Sequence, residues 1–203
     1  MRFTEAALAG PPGLPAFYRD VLGLPLDGDA IRTGETLLRF EPEDGGAFYH
    51  FALLVPGDRF DAALAWAREQ VELLGDVFDF DPWDGRAVYF HDPAGNIVEL
   101  IAHQALEQNG RSGDFGADEL VGISELGIVG HPPELLRSLE AVGLELWDGS
   151  VDGKNRLAFV GEQGRTLILS PPGRGWMPTG RPAEPHPVEV VLDFDGDRVA
   201  LSF

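Results

Sequence analysis

The feature that most limits how this chain can fold is a unit that occurs three times: a short strand, an amphipathic helix, a glycine, then two or three short strands. In the first copy, residues 4–8 read as the strand, Pro11-Pro12 opens a helix carrying Phe17, Val21 and Leu22 at helical spacing, and Gly23 ends it. The second copy has residues 49–53 as strand, a helix with Phe60, Ala63, Leu64, Ala67 and Val71 on one stripe, then Gly75. The third has residues 124–128, then Pro132-Pro133 and a helix bearing Leu135, Leu136, Leu139 and Val142, then Gly143. Short strands rich in β-branched and aromatic residues follow each helix. Residues 86–90 and 97–102 are the clearest pair, joined by the turn Asp92-Pro93-Ala94-Gly95-Asn96. Each unit is therefore βαβββ, and the fold class is α+β.

A single βαβββ unit leaves one curved sheet face uncovered, so two units are expected to pair around a cleft with their helices outside. Units one and two are expected to form that domain over residues 1–105, with residues 104–118, polar and glycine-bearing, as a linker. Residues 119–203 then form a third module. Its C-terminal end reads as a hairpin: residues 189–194, a turn at Asp195-Gly196-Asp197, and residues 199–201. Ahead of it, residues 170–187 form a Pro/Gly-rich loop with Arg174, Trp176, Met177 and Arg181, too long for a mere turn and suited to a lid or packing arm.

Composition narrows the chemistry. The 203 residues include no cysteine, so thiolate ligands, cysteine nucleophiles and disulfides are excluded and any metal must be held by His, Asp or Glu. The formal charge of -19, with Lys154 the only lysine, argues against nucleic acid as a partner. The N-terminus has an acidic residue and prolines where a secretory signal needs a basic start, and no apolar run approaches the roughly 20 residues of a membrane span. A soluble, cytoplasmic protein with no membrane partner is the expectation.

Two stretches, Phe17-Tyr18-Arg19-Asp20-Val21-Leu22-Gly23-Leu24 and Tyr89-Phe90-His91-Asp92-Pro93-Ala94-Gly95-Asn96-Ile97-Val98-Glu99-Leu100, resemble signature stretches of the vicinal oxygen chelate superfamily. That superfamily contains the glyoxalases, bleomycin-resistance proteins and extradiol dioxygenases. The resemblance covers about the first half of the chain and extends more faintly to unit three. It implies one divalent metal ion (Mn, Fe, Zn or Ni) between paired units, with ligands on each unit's first strand and on its last. By position these are Glu5, His50 and Glu99. It also implies a small-molecule substrate; single-domain relatives often dimerise, and a third unit either replaces or creates that interface, so a homodimer is one of two open outcomes.

Strand alternation supports the same set. With Phe51 and Leu53 packed on a helix, His50 faces the cleft; with Val98 and Leu100 on the helix side, Glu99 faces inward; Glu5 follows, with Ala6 and Leu8 outward. Two carboxylates and an imidazole in one cavity call for a neutralising cation. The alternatives are a hydrogen-bonded core histidine at His50 and an exposed carboxylate at Glu5. Glu125 occupies the first-strand slot of unit three, but residues 166–170 offer no ligand on its last strand, so unit three reads as structural or as a cavity wall.

The fourth ligand of the similar glyoxalase I enzymes falls at Arg39 or Leu38, neither a carboxylate, and the two-His, one-Glu set of extradiol dioxygenases is broken by Glu5. Three protein ligands leave positions open for substrate oxygens. Arg39 is a candidate substrate anchor or an ordinary surface arginine. Tyr89 falls where related enzymes present a tyrosine to the substrate, and His91 either moves a proton or supports the adjacent turn. Trp83 and Phe48 are candidate apolar walls. The leading expectation is a metal-dependent lyase, isomerase or dioxygenase that binds substrate through adjacent oxygens. The others are a metal-free, bleomycin-resistance-like sequestering protein and a partner-binding module built on the proline-rich loop.

Overall fold

A computed structural model describes residues 1–203 apart from Asp44, Lys154, Asn155 and Asp195; the Asp195 end of the last expected turn therefore lies outside the described residues. Unit one comprises β1 (Arg2–Gly10), α1 (Leu14–Asp20), β2 (Leu26–Asp27), β3 (Ala30–Thr33) and β4 (Thr36–Pro42). Unit two comprises β5 (His50–Leu54), α2 (Phe60–Gln70), β6 (Phe78–Phe80), β7 (Gly85–His91) and β8 (Ile97–His103). Unit three comprises β9 (Gly122–Val129), α3 (Pro132–Glu140), β10 (Leu146–Gly149), β11 (Ala158–Glu162) and β12 (Arg165–Ser170). The arm carries β13 (Gly175–Trp176) and β14 (Arg181–Pro182), and the chain continues through β15 (Val188–Phe194) and β16 (Asp197–Ser202). The class is α+β, as expected, and in every unit the first and last strands pair in parallel.

The units do not pair in the expected order. Units two and three share one eight-stranded sheet, β10-β11-β12-β9-β5-β8-β7-β6, joined by antiparallel pairing of β5 with β9. Unit one instead shares a six-stranded sheet, β16-β15-β1-β4-β3-β2, with the C-terminal hairpin through β1 and β15. Sheet hydrogen bonds thus cross the expected division between residues 1–105 and 119–203 twice. The physical reason is that side-chain alternation specifies which face a strand presents, not which strand satisfies its free edge. The edge of β1 is filled by β15, which leaves β5 to β9.

Alternation itself holds. Phe51, Leu53, Val98, Leu100, Leu126 and Ile128 enter one large core with the helices, together with Phe60, Ala63, Leu64 and Ala67 of α2 and Leu136 and Leu139 of α3. Each such buried Leu or Phe contributes roughly 1.5–3 kcal/mol. Val142, expected on the α3 stripe, is instead exposed beyond the helix end. On the opposite sheet face Ala52, Ala87, Tyr89, Ile97, Ile101 and Ile168 gather in a second cluster with Phe48 and Trp176. The connection expected as a linker is anchored: the buried Arg59 guanidinium pairs with Glu119 at 2.8 Å and donates to the Gly113 and Asp114 carbonyls at 2.9 and 3.2 Å. Among the described residues, no helix is long and apolar enough to cross a membrane.

The two signature stretches meet in space. The Tyr18 hydroxyl donates to Asp92 at 2.6 Å, and the same carboxylate accepts from the Ala94 and Asn96 amides at 3.0 Å and from Asn96 Nδ2 at 2.7 Å. Asn96 Oδ1 in turn accepts the Tyr49 amide at 2.8 Å, fastening the start of β8 beside the start of β5. Asn96 is fully buried, so replacing it strands a carboxylate oxygen and an amide away from water. Asn96→Ala is expected to lower the unfolding free energy by at least about 2 kcal/mol in urea titration. A loss below about 0.5 kcal/mol, the size of an ordinary surface change, contradicts this account.

Candidate metal centre

The centre is built on three adjacent strands. Ala52, on the central strand β5, is flanked in register by Glu99 on β8 and by Glu125 on β9. His50 lies one pleat further along the same face of β5. Alanine at position 52 leaves space above the sheet between the two carboxylates. One ligand atom from each of His50, Glu99 and Glu125 lies within 4.8 Å of the others, and all three residues are buried. His50 Nε2 approaches Glu99 Oε2 to 3.5 Å. Atoms coordinated at about 2.1 Å by one ion sit roughly 3.0–3.4 Å apart, so small side-chain rotations suffice to close the set.

The electrostatics suit a cation. His50 Nδ1, 3.1 Å from the Ile97 carbonyl, must carry the proton because a carbonyl only accepts; the neutral ring then presents a bare Nε2 to the cavity. Burial pushes the His50 pKa down to about 4, the Ile97 bond opposes this, and the nearby Arg174 charge lowers it further. Burial raises the Glu125 carboxyl to about 7 and lifts Glu99 well above the usual carboxylate range, with the Glu125 charge adding to the effect on Glu99. Tyr89 lies opposite Glu99 in the β7–β8 register, and burial followed by the two glutamate charges raises its hydroxyl pKa. Tyr89 therefore stays protonated and acts as a donor.

These groups form the floor of a cavity of about 380 Å³. Phe80, Trp83, Phe159, Ile168 and Trp176 supply apolar walls, and Arg156, Arg174 and Met177 also line it. The proline-rich arm provides Arg174, Trp176 and Met177. It is fixed over unit two by Arg181, which donates to the Gly95 carbonyl at 3.0 Å and lies 3.3 Å from the Phe48 ring centroid. Trp176 reaches within 5.0 Å of the His50 ring by crossing Gly127, where a Cβ would stand 2.9 Å from the indole. The chain passes directly above the sheet there, and only glycine leaves room.

The structure brings His50 and Glu99 together as alternation predicts, and it lines the cavity with Tyr89 and Trp83. It does not bring Glu5. That carboxylate lies on the other sheet, paired with Arg39 at 3.2 Å and with Arg198, so Glu125 completes the set. Arg39 pairs with Glu5 and, at 3.7 Å, with Asp29, and does not line this cavity. His91 is exposed at the strand end, where its Nδ1 meets the Asn96 carbonyl oxygen at 3.2 Å; it supports the turn and does not line the cavity. Phe48 sits outside the cavity, beneath Arg181. The signal for Glu125 was present in its first-strand slot. What set it aside was the lack of a ligand on residues 166–170 of its own unit, whereas the last-strand carboxylate beside it comes from unit two. On β12 the residue that lines the cavity is Ile168, which offers no ligand atom.

No family model and no curated protein matches the sequence. Solved structures do match. A dioxygenase-type protein of Bacillus subtilis superposes with a TM-score of 0.57 at 19% identity, covering 84% of this chain and 63% of that one. Glyoxalase I from Zea mays superposes with a TM-score of 0.51 at 16% identity, covering 84% of this chain and 66% of that one. This is the vicinal oxygen chelate fold. At these identities the likeness concerns architecture, and this chain spans less than two thirds of the length of either neighbour. Within a vicinal oxygen chelate fold, the His50, Glu99 and Glu125 cluster lies at the floor of the cavity enclosed by two paired units.

Because the carboxyls hold protons in the metal-free protein, a cation must displace them, and binding strengthens as pH rises. Titration calorimetry with Mn²⁺ is expected to show tightening affinity from about pH 5.5 to about pH 8, with release of roughly one to two protons at the acid end. Affinity independent of pH across this window would mean that the glutamates are already ionised.

Proposed function

We propose that this chain is a metal-dependent enzyme of the glyoxalase and dioxygenase type, binding a small substrate through two adjacent oxygens at a divalent cation held by His50, Glu99 and Glu125. The observation that carries this reading is the convergence of one bare imidazole nitrogen and two buried carboxylates on the floor of a cavity large enough for a small molecule. The donor set of one nitrogen and two carboxylates fits Mn, Fe, Zn or Ni. When bound, the cation supplies Lewis acidity toward the substrate oxygens. The chain's own residues do the rest. The Ile97 carbonyl orients His50, Tyr89 keeps its proton and offers it to a substrate oxygen beside Glu99, and Trp176 with the apolar walls excludes water. A cytoplasmic location belongs to the same reading.

A metal-free sequestering protein is the second reading, favoured by the raised pKa values of Glu99 and Glu125, which let both remain neutral in a cavity without a cation. Elemental analysis of protein purified without a metal-chelating tag separates the two. Near-stoichiometric metal is expected in the wild type and in Glu5→Ala, with loss of at least about tenfold in affinity for Glu99→Ala and Glu125→Ala. A wild type that stays empty after incubation with Fe, Mn, Zn and Ni supports the second reading. Retention by Glu125→Ala together with loss by Glu5→Ala restores the set expected from sequence.

A further inference from the structure

The two large sheets end differently. In the eight-stranded sheet β12 is the second strand out from β5, and it is flanked in turn by β11, which runs antiparallel to it. In the six-stranded sheet β16 is the second strand out from β1, and the sheet stops there. Val188 and Phe203 exchange both backbone hydrogen bonds, at 3.2 and 2.9 Å, which fixes the alternation along the β15–β16 ladder. Leu201, Val199 and Asp197 therefore face β15, and the N–H and C=O groups of Arg198, Ala200 and Ser202 turn outward. Among the described residues no strand pairs with them.

The other edges of these sheets are poor templates. β2 has two residues, β6 three, and β10 four with a register shift between Leu146 and Asp148. β16 runs six residues in unbroken register and holds no proline. Val199 and Leu201 are half-buried on one side of it, while Ala200 and Ser202 are small and exposed on the other.

This edge is complementary to itself. About a twofold axis at Ala200, antiparallel strands set Ala200 against Ala200 of the second copy, Arg198 against Ser202, and Val199 against Leu201. Every outward N–H then meets an outward C=O, apolar meets apolar, and Arg198, whose guanidinium pairs with Glu5, meets no like charge. That neutrality matters for a chain of net charge -19, whose copies otherwise repel each other. We propose that β16 is a dimerisation strand, through which two copies of this chain join antiparallel into one continuous sheet. The inference stands apart from the metal centre and uses none of its residues.

The test is sedimentation velocity of the full chain from about 5 to about 500 µM, because a contact this small belongs with the weak interfaces, with a dissociation constant on the order of 10–100 µM. Ala200→Pro removes the central outward N–H, which β15 does not use, and is expected to weaken association at least about tenfold while the hairpin persists. Ala200→Lys sets two ammonium groups face to face and Ala200→Glu two carboxylates, so each is expected to weaken association about threefold. An equimolar mixture of Ala200→Lys and Ala200→Glu is expected to associate about tenfold more tightly than either alone, since only the mixed dimer opposes unlike charges at the axis. Circular-dichroism melting curves check that each variant folds; if Ala200→Pro does not, the exposed charge variants carry the test. A wild-type chain that stays monomeric at the highest concentration overturns the inference and leaves the edge to a strand of another protein. A dimer left intact by these substitutions, or weakened by both charges without rescue on mixing, overturns it as well.

Discussion

The antiparallel pairing of β5 with β9 is the constraint on which the rest of the site depends. It sets Glu125 beside Ala52, with Glu99 on the other flank, and so places two carboxylates from different units on either side of one small residue. It also brings Ile168 and Phe159 of unit three to the cavity that unit two floors with His50 and Tyr89. A shift of β9 by one residue would turn Glu125 into the helix-side core and Leu126 into the cavity, because side chains alternate with a period of two. Core packing of Leu126 and Ile128 against Phe51 and Leu53 resists that shift, and in this sense the apolar face of the sheet holds the polar face in register.

The polar face carries the cost. Burying two carboxylates side by side is unfavourable, and burial raises both pKa values. Glu119, by contrast, is buried against Arg59, and its carboxyl is held below the usual range, chiefly by that hydrogen bond. The same residue type thus plays opposite parts in two places. Against a guanidinium it anchors the connection between units; between Tyr89 and His50 it remains available to a cation.

Much of this was legible in the sequence, residue by residue. The period-two pattern puts Phe51 and Leu53 on one face and His50 on the other, and the same rule separates Glu99 from Val98 and Leu100. The turn residues Asp92 and Asn96 mark a hairpin, and the structure gives the physical content of their spacing: Asp92 closes the turn while Asn96 ties it to β5. Glu5 was assigned to the right kind of face on the wrong sheet. Arg39, placed beside it by the same reasoning, became its ion-pair partner.

What the sequence by itself determined was local: three strand and helix units, the faces their strands present, and the turn chemistry that joins them. These follow from backbone geometry and near-neighbour side chains, which a linear pattern records. Only the tertiary structure decided which units share a sheet, because any unsatisfied strand edge offers the same row of amides and carbonyls to every other edge. That choice, settled by β15 on β1 and β9 on β5, replaced Glu5 with Glu125 and folded Arg174 and Trp176 of the arm over the cavity.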